Sequence, residues 1–377
     1  MISSRIKKKP QHIFFIVGES LDIWPLLKKY KKIRLYTEIN KISKTSFFLN
    51  SFLPISNSTV FALSSISSGL PDFKTHLNYK IESKKIFISA ISPFIKKFGY
   101  TSQFFFGGNL SWQNIGNFLK IQGFKKIYGA EDILNLRNEN EWGVDDEILF
   151  NFVIKKIKKK RKTFNLIMTT SNHPPYTIIL KKLNFLKNKL IQDHINKYGN
   201  QSTNPKKIGH HWYNDKCLGK FIKILKKKYT KSLFFITGDH FSKRHLIMDP
   251  SVYEKNAVPF FLCGKNIILN MNVPKYSNGN HLDLFATLSI LVMDSNSYAY
   301  SNGNTLIQNY KCKSSFGNSI LCFSNFFIDT RGVSSNIVDT QLLRKYYRYN
   351  NFIYYNESNF KINKLGPLGF EPRTKGL

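Results

Sequence analysis

Short runs of consecutive apolar residues, rich in Phe, Ile and Val, recur along the first two thirds of the chain. They lack the alternation of apolar and polar positions that marks a strand with one exposed face. Each run therefore predicts a strand that is buried on both faces of its sheet. The predicted strands are residues 13–17, 86–90, 102–106, 164–169, 232–237 and 258–263.

Between these runs lie segments whose pattern favours helices. The predicted helices are residues 58–68, 111–122, 145–158, 212–228 and 281–293. Alternation of strands and helices predicts an α/β fold, with a doubly wound, mostly parallel sheet flanked by helices. In such sheets, ligands bind beyond the carboxyl ends of the strands.

The chain is predicted to divide into segments of different composition. Residues 1–11 form a basic leader, and residues 12–298 form the main α/β domain. Beyond these, Asn/Ser/Gly-rich segments alternate with short aromatic runs, which predicts a small β-containing subdomain over 299–360 that completes the domain. Residues 361–377 shift to Gly, Pro and Arg and are expected to be a disordered tail.

The chain is strongly basic, with 57 Lys and Arg against 23 Asp and Glu, a formal net charge of +34. Such a charge suggests nucleic acid or an anionic membrane as a partner. However, lysines are spread over the whole length, together with abundant Ile, Asn, Phe and Tyr, as in proteins from AT-rich genomes. No zinc-finger, RNA-recognition or helix-turn-helix pattern accompanies them, so we expect no specific nucleic-acid partner. Attraction to anionic lipid or a lipid-linked substrate is favoured.

No apolar run reaches the roughly 20 residues that a transmembrane helix needs. The first 20 residues resemble a signal peptide, but their apolar stretch is short and leads directly into Glu19 without a cleavage site. We interpret this stretch as the first core strand. The four cysteines form no CxxC pair; Cys312 and Cys322 are equally compatible with a disulfide across a hairpin and with free thiols.

Metal-binding or nucleophilic side chains follow several of the apolar runs. Glu19 ends IFFIVGES, Ser58 and Thr59 begin a predicted helix, and Asp239 and His240 end SLFFITGDH. Two carboxylates, a hydroxyl and an imidazole make a four-ligand site for a divalent cation, in which the hydroxyl could also be the nucleophile. The pattern predicts a metal-dependent phospho- or sulfo-ester enzyme.

Each candidate also has a purely structural interpretation. Glu19 alone would suit an exposed turn, and Ser58 or Thr59 would suit a helix N-cap. His173, in TTSNHPPY after another predicted strand, either caps that strand or contacts a substrate phosphate or leaving oxygen. Four other histidines are interpreted as structural or solvated: His245, His210, His211 and His281. Of these, His245 is also kept as a reserve ligand for a second metal, because it lies close to Asp239 and His240 in the sequence.

Taken in order, these motifs resemble the sulfatase-like catalytic domain of the lipoteichoic acid synthase and phosphoglycerol transferase family, within the alkaline phosphatase superfamily. The resemblance covers residues 12–295 approximately. It is carried by these segments: IFFIVGES, STVFALSSISSGLP, GYTSQFFFGGNLSWQNIGNFLKIQGF, EWGVDDEILF, TTSNHPPY, WYNDKCLGKFI, TGDH, VPFFLCG and HLDLFATL.

The resemblance implies specific roles for the candidate residues. Glu19, Thr59, Asp239 and His240 match the family's ligands for one divalent metal, which is Mn²⁺, Mg²⁺ or Zn²⁺. Thr59 matches the nucleophile, and His173 matches a histidine that contacts substrate. The implied reaction moves a phosphoglycerol- or phosphoethanolamine-type head group from a phospholipid, through a phosphothreonine, to the hydroxyl of an envelope glycan or lipid acceptor. The implied location is the cell envelope, on the extracytoplasmic face of the membrane.

The sequence departs from the family in two respects. Family members usually carry N-terminal membrane helices, so we expect a separately made domain or a truncated reading frame. The segment FGGNLSWQNIG also lacks a His and an Arg found near the substrate in the lipoteichoic acid branch. The identity of the head group therefore stays open. No C/S-x-P-x-R motif, which true sulfatases need, surrounds Ser58 or Thr59, so phosphoryl transfer is favoured over sulfate ester hydrolysis. The alternatives are a phosphodiester or sulfuric ester hydrolase that uses the same site, and a non-catalytic remnant that binds anionic polymer or lipid.

Overall fold

The core of the molecule is an eight-stranded sheet in the order β4-β3-β5-β1-β6-β7-β2-β8. Among these strands, β7 alone runs antiparallel to its neighbours. The strands are β1 (His12–Gly18), β2 (Phe47–Leu53), β3 (Thr101–Phe106), β4 (Lys126–Tyr128), β5 (Thr163–Met168), β6 (Ser232–Gly238), β7 (Val258–Cys263) and β8 (Gly279–Asn280). The computed structural model describes residues 9–72, 75–133, 142–183, 185, 189–198, 205–242, 250–264, 278–294, 297–307, 314–317, 320–323 and 326–329.

Helices cover both faces of this sheet. They are α1 (Thr37–Lys44), α2 (Thr59–Ser68), α3 (Ile91–Lys96), α4 (Ile115–Ile121), α5 (Ala130–Ile133), α6 (Asp146–Lys156), α7 (Lys189–Tyr198), α8 (Pro205–Lys228) and α9 (Asp283–Val292). Alternate residues of β1 enter two separate cores: Phe15 packs with the face that carries α2, α3, α4 and α9, and Phe14 with the face that carries α1, α6 and α8. The predicted doubly wound, mostly parallel α/β fold is confirmed.

Paired phenylalanines on neighbouring strands stabilise the middle of the sheet. Phe14 lies beside Phe234 and Phe15 beside Phe235 in the register of β1 and β6, with ring centroids 5.2 and 4.3 Å apart. All four side chains are at most 1% exposed. Complete burial of a phenylalanine side chain contributes about 3 kcal/mol to the free energy of unfolding. Because both faces of these strands are buried, apolar residues are favoured at consecutive positions rather than at alternate ones.

One predicted strand is wrong. Residues 86–90 have no strand pairing, and Ile86 and Ile88 are 55% and 51% exposed while Phe87 between them is buried. The backbone N–H of Phe87 donates to the Gln122 side chain instead of a neighbouring strand. The other predicted strands and all five predicted helices are present, although the predicted helix 212–228 begins earlier, at Pro205.

A second, smaller sheet lies towards the C-terminus. It is antiparallel, in the order β11-β10-β9, and consists of β9 (Ser314–Gly317), β10 (Ile320–Phe323) and β11 (Phe326–Asp329). The predicted small β-containing subdomain is thus present, whereas its exact limits at 299 and 360 stay predictions. The segments 1–8 and 330–377, Cys312 and the side chain of Cys322 lie outside the described residues. Within the described part of the chain, no helix has the length and apolarity needed to cross a bilayer.

Candidate active site

The carboxyl ends of β1 and β6 bring the predicted metal ligands together. These strands are parallel neighbours, with Gly18 opposite Gly238, so the residues that follow them leave the sheet side by side. Glu19 follows β1, and Asp239 and His240 follow β6. Thr59 is the first residue of α2 and completes the group.

The hydroxyl of Thr59 lies at the centre of this group. Its Oγ1 is 2.6 Å from Asp239 Oδ2, 3.1 Å from Glu19 Oε2 and 3.3 Å from His240 Nε2. Ligand atoms of Glu19, Asp239 and His240 all lie within 4.8 Å of one another, and all three residues are buried. Of the described residues, the structure thus gathers all four predicted ligands in one place; their binding of a metal stays a prediction.

Backbone and side-chain hydrogen bonds fix the orientation of these groups. Ser20, at φ 51°, directs its backbone N–H to Asp239 Oδ1 (2.8 Å) and its hydroxyl to Glu19 Oε1 (2.9 Å). His240 Nδ1 donates to the Phe241 carbonyl at 2.8 Å. That tautomer leaves His240 Nε2 as a lone-pair donor facing the group, as in metal-binding histidines generally.

The charges of this group favour a bound cation. Burial, and next the charge of Asp239, raise the pKa of Glu19 well above its ordinary value. The single hydrogen of the Thr59 hydroxyl cannot satisfy both carboxylates that lie within its reach. Two buried carboxylates therefore need either a retained proton or a positive ion between them. Carboxylate oxygens with one imidazole fit a divalent cation such as Mg²⁺, Mn²⁺ or Zn²⁺.

A cavity of about 310 Å³ opens beside Thr59 and Glu19. His173 lies on its wall, and its ring packs against Trp142 with centroids 4.0 Å apart and planes inclined by 36°; its contact with substrate stays a prediction. Its Nδ1 donates to the Pro174 carbonyl at 2.6 Å. His173 thus lines the same cavity as Thr59, the nucleophile candidate.

The aromatic wall of the cavity was missed by the sequence analysis. Phe106 ends β3, Trp112 follows it in the next loop, and Trp142 precedes Gly143. Gly143 has φ 127°, and a Cβ there would lie 1.9 Å from the Gly107 carbonyl. Only glycine permits this approach of the two segments, which brings Trp142 to the wall of the cavity. The pair of glycines after β3, at a strand's carboxyl end, was the available signal.

The other candidate residues are not members of the group around the Thr59 hydroxyl. His210, His211 and His281 are buried and hydrogen-bonded in the framework, as expected for structural histidines; His281 Nε2, for example, contacts the Gly238 carbonyl at 2.9 Å. Ser58 precedes α2 in an extended conformation without capping it. His245 lies outside the described residues.

Comparison with known proteins places this arrangement in a family. The family model described as Sulfatase matches residues 11–295. The chain belongs to the sulfatase family. It is therefore related to an enzyme superfamily whose members include transferases and hydrolases, and the predicted resemblance is confirmed.

Individual relatives of this sulfatase-family chain are distant. Phosphoglycerol transferase I of Escherichia coli O127:H6 is 26% identical over 143 residues, which are 35% of this chain and 19% of that protein. The chain thus matches about a fifth of the length of that curated relative. An alkaline phosphatase superfamily protein from Vibrio parahaemolyticus superimposes with a TM-score of 0.70, at 17% identity, over 94% of this chain and 90% of that one. The lipoteichoic acid synthase LtaP of Listeria monocytogenes does so with a TM-score of 0.67, also at 17% identity, over 96% and 95%.

Proposed function

We propose that this protein is a metal-dependent phosphotransferase that moves a phosphoglycerol- or phosphoethanolamine-type head group from a phospholipid to an acceptor hydroxyl, through a phosphothreonine at Thr59. The observation that carries the proposal is the position of Thr59 Oγ1, between Asp239 and Glu19 and beside the cavity. Glu19, Thr59, Asp239 and His240 would hold one Mn²⁺, Mg²⁺ or Zn²⁺ ion. When bound, such a cation would lower the pKa of the hydroxyl and offset charge on the phosphoryl group.

In the first step, Thr59 Oγ1 forms a bond to phosphorus while the bond from phosphorus to the lipid oxygen breaks. The hydroxyl proton leaves towards the carboxylates of Asp239 and Glu19, which lie 2.6 and 3.1 Å away. His173, on the cavity wall, would act in its doubly protonated form: Nδ1–H donates to the Pro174 carbonyl, and Nε2–H gives its proton to the departing lipid oxygen or donates to the phosphate. Thr59 begins α2, so the unpaired backbone N–H groups and the positive dipole end of that helix stabilise the phosphoryl oxygens.

In the second step, an acceptor hydroxyl attacks the same phosphorus and the bond to Thr59 Oγ1 breaks. The partners are then an anionic phospholipid or lipid-linked donor and a glycan or lipid acceptor of the cell envelope, outside the cytoplasm. The similarity to a phosphoglycerol transferase and to a lipoteichoic acid synthase supports these partners and this location. If water replaces the acceptor hydroxyl, the same residues would make the protein a phosphodiester hydrolase. Analysis of the products distinguishes hydrolysis from transfer to an acceptor.

The test is incubation of the full chain with phosphatidylglycerol or phosphatidylethanolamine analogues and each divalent metal, followed by intact mass spectrometry. We expect a covalent adduct on the wild-type protein and on Ser58→Ala, whose hydroxyl is one residue away, but none on Thr59→Ala. Product release with and without a glycan or lipid alcohol distinguishes a transferase from a hydrolase. Equal turnover by wild type and Thr59→Ala would contradict the proposal.

A further inference from the structure

We propose that the head group bound by this site carries a positive charge, as an ammonium or quaternary ammonium group does. The inference rests on the proposed function and deepens it, because it chooses between head groups that the reaction itself leaves open. Two properties of the cavity support it: the aromatic rings that form its wall, and the charges of its lining residues.

The first property is the aromatic wall. Phe106 and Trp112 both line the cavity, with ring centroids 6.1 Å apart and planes inclined by 45°. Trp142, backed by the ring of His173, forms another part of the wall. Several aromatic faces around one cavity create a region of negative potential that attracts a cation without requiring a carboxylate.

The second property is that no described residue on that wall is a lysine or an arginine. The chain has 57 Lys and Arg residues, yet none is among the cavity-lining residues that the structure describes. The ionisable carboxyl there is Glu19, which belongs to the metal-ligand group. A head group with a second negative charge would therefore find no counter-ion on the described wall, and burial without one is costly.

An uncharged polyol is also poorly matched to this wall. Each buried hydroxyl of a glycerol-like group needs a hydrogen-bonding partner. Among the described lining side chains, Thr170 already donates to the Val144 carbonyl and His173 Nδ1 to the Pro174 carbonyl. Beyond the metal ligands, the amide of Asn109 and the oxygen of Thr170 are then the described side-chain groups left for such hydroxyls, because His173 Nε2 is proposed to contact the phosphate or the departing lipid oxygen. A trimethylammonium or ammonium group needs ring faces rather than such partners.

The test measures binding separately from turnover. Isothermal titration of the metal-loaded full chain compares phosphocholine with 3,3-dimethylbutyl phosphate, which has the same shape but no positive charge; glycerol 1-phosphate is the third ligand. We expect phosphocholine to bind about 5- to 30-fold more tightly than its uncharged isostere, the range typical of partly desolvated cation–π contacts. Glycerol 1-phosphate should bind no better than the isostere.

Variants locate the source of this preference. Trp112→Leu and Trp142→Leu should each reduce the ratio of the two affinities at least about 3-fold, whereas Tyr298→Leu should leave the ratio unchanged. Tyr298 is 47% exposed and is not among the residues that line this cavity. An affinity ratio near one in the wild-type protein, or a ratio that survives both tryptophan substitutions, would overturn the inference.

A turnover assay distinguishes this inference from the proposed function. Choline and glycerol p-nitrophenyl phosphodiesters are supplied to wild type and to Thr59→Ala with the same metal. Turnover that requires Thr59 but favours the glycerol ester would overturn the cationic head group and keep the phosphotransferase. Absence of Thr59-dependent turnover, together with tight phosphocholine binding, would overturn the phosphotransferase and keep the cation-binding cavity.

Discussion

Carboxylates follow the strands at one edge of the central sheet, whereas lysines surround the opposite edge, where the parallel strands begin. Glu19 follows β1 and Asp239 follows β6. At the other edge, the residues before the parallel strands are basic: Lys9 near β1, Lys125 before β4, residues 158–162 before β5 and Lys231 before β6. The first edge contains the catalytic residues proposed here, and the second contains much of the positive charge.

The physical origins of the two edges differ. Lysines gather where α6 and α8 end because cations stabilise a helix C-terminus. They are exposed and can be solvated individually. The carboxylates at the other edge are buried beside one another, where their charge is unfavourable unless a cation joins them. The high net charge of the chain therefore reflects solvated lysines such as those at the second edge, whereas the proposed chemistry depends on a few buried groups at the first edge.

The largest effect is expected from Asp239→Asn. Asparagine keeps an oxygen for the backbone N–H groups of Ser20 and His240 but removes the negative charge beside Thr59. We expect metal-dependent turnover to fall roughly 10³-fold, which corresponds to about 4 kcal/mol of transition-state stabilisation. The increase in melting temperature on adding metal should also disappear. Kinetic assays and thermal unfolding with and without metal measure both effects.

The same variant makes an opposite prediction for the metal-free protein. Because Asp239 and Glu19 repel each other when both are ionised, metal-free Asp239→Asn should unfold at a higher temperature than the metal-free wild type. Glu131→Gln is the control, since Glu131 is exposed on α5 at the same edge. A stability loss in metal-free Asp239→Asn would show that the carboxylate pair is stabilised by something other than a cation.

Much of this arrangement was accessible from the sequence. Apolar runs that end in polar residues identified β1 and β6, and the parallel pairing of those strands explains why Glu19, Asp239 and His240 converge. Two kinds of feature were not accessible. Strand β2 was missed, and it pairs with β7, which alone among the described strands of the central sheet runs antiparallel to its neighbours. Residues 86–90 have a strand-like composition, but both of their isoleucines, Ile86 and Ile88, are exposed. Burial depends on tertiary contacts, and the composition of a short segment does not encode those contacts.

The aromatic cavity shows the same limit. Trp112 and Trp142 come from separate loops without any periodic pattern, and the close contact between Gly143 and Gly107 brings those loops together. A positive φ at a glycine is a backbone property, and sequence alone does not distinguish it from an ordinary turn. The residues proposed to hold the metal were thus predictable, whereas the aromatic residues proposed to select the head group were not.

The next largest effect concerns acid stability at the lysine-rich edge. Burial lowers the pKa of His12 to about 4, so its ring is neutral in the folded protein at neutral pH. In the unfolded chain the pKa of histidine is about 6.5. As the pH falls from 6.5 to 4, the unfolded state binds a proton that the folded state does not. The free energy of unfolding should therefore decrease over this window, by at most about 3 kcal/mol from this residue.

His12→Phe tests this assignment, because phenylalanine keeps the ring packing against Tyr229 (4.7 Å between centroids) but cannot be protonated. Chemical denaturation at pH 4 and pH 6.5 should show a smaller loss of stability in the variant than in the wild type. Identical losses would mean that His12 binds its proton equally well in the folded and unfolded states, contrary to this assignment.

A smaller effect is expected from His210, which restrains the loop that carries His173. Its Nδ1 donates to the Ser171 carbonyl, and its Nε2 accepts the Ile178 backbone N–H at 3.1 Å. His210→Ala should reduce kcat/KM about 10-fold by loosening that loop. If His210 acts through His173, the double variant His173→Ala/His210→Ala should be no slower than His173→Ala alone. Independent, multiplying losses would instead indicate a general loss of stability.

The smallest effect is expected from the lysine-rich edge itself, in the triple variant Lys158→Gln, Lys159→Gln and Lys160→Gln. These side chains are exposed before β5, roughly 20 Å from the cavity along a strand of this length. Exposed charges at that distance are screened, because the Debye length at physiological ionic strength is about 8 Å. We expect less than about a 2-fold change in turnover of soluble phosphodiesters and of phospholipid in anionic vesicles. A loss of turnover that appears only with vesicles would show that this edge contacts the lipid surface. The lysine-rich edge would then take part in the reaction, contrary to the contrast drawn between the two edges.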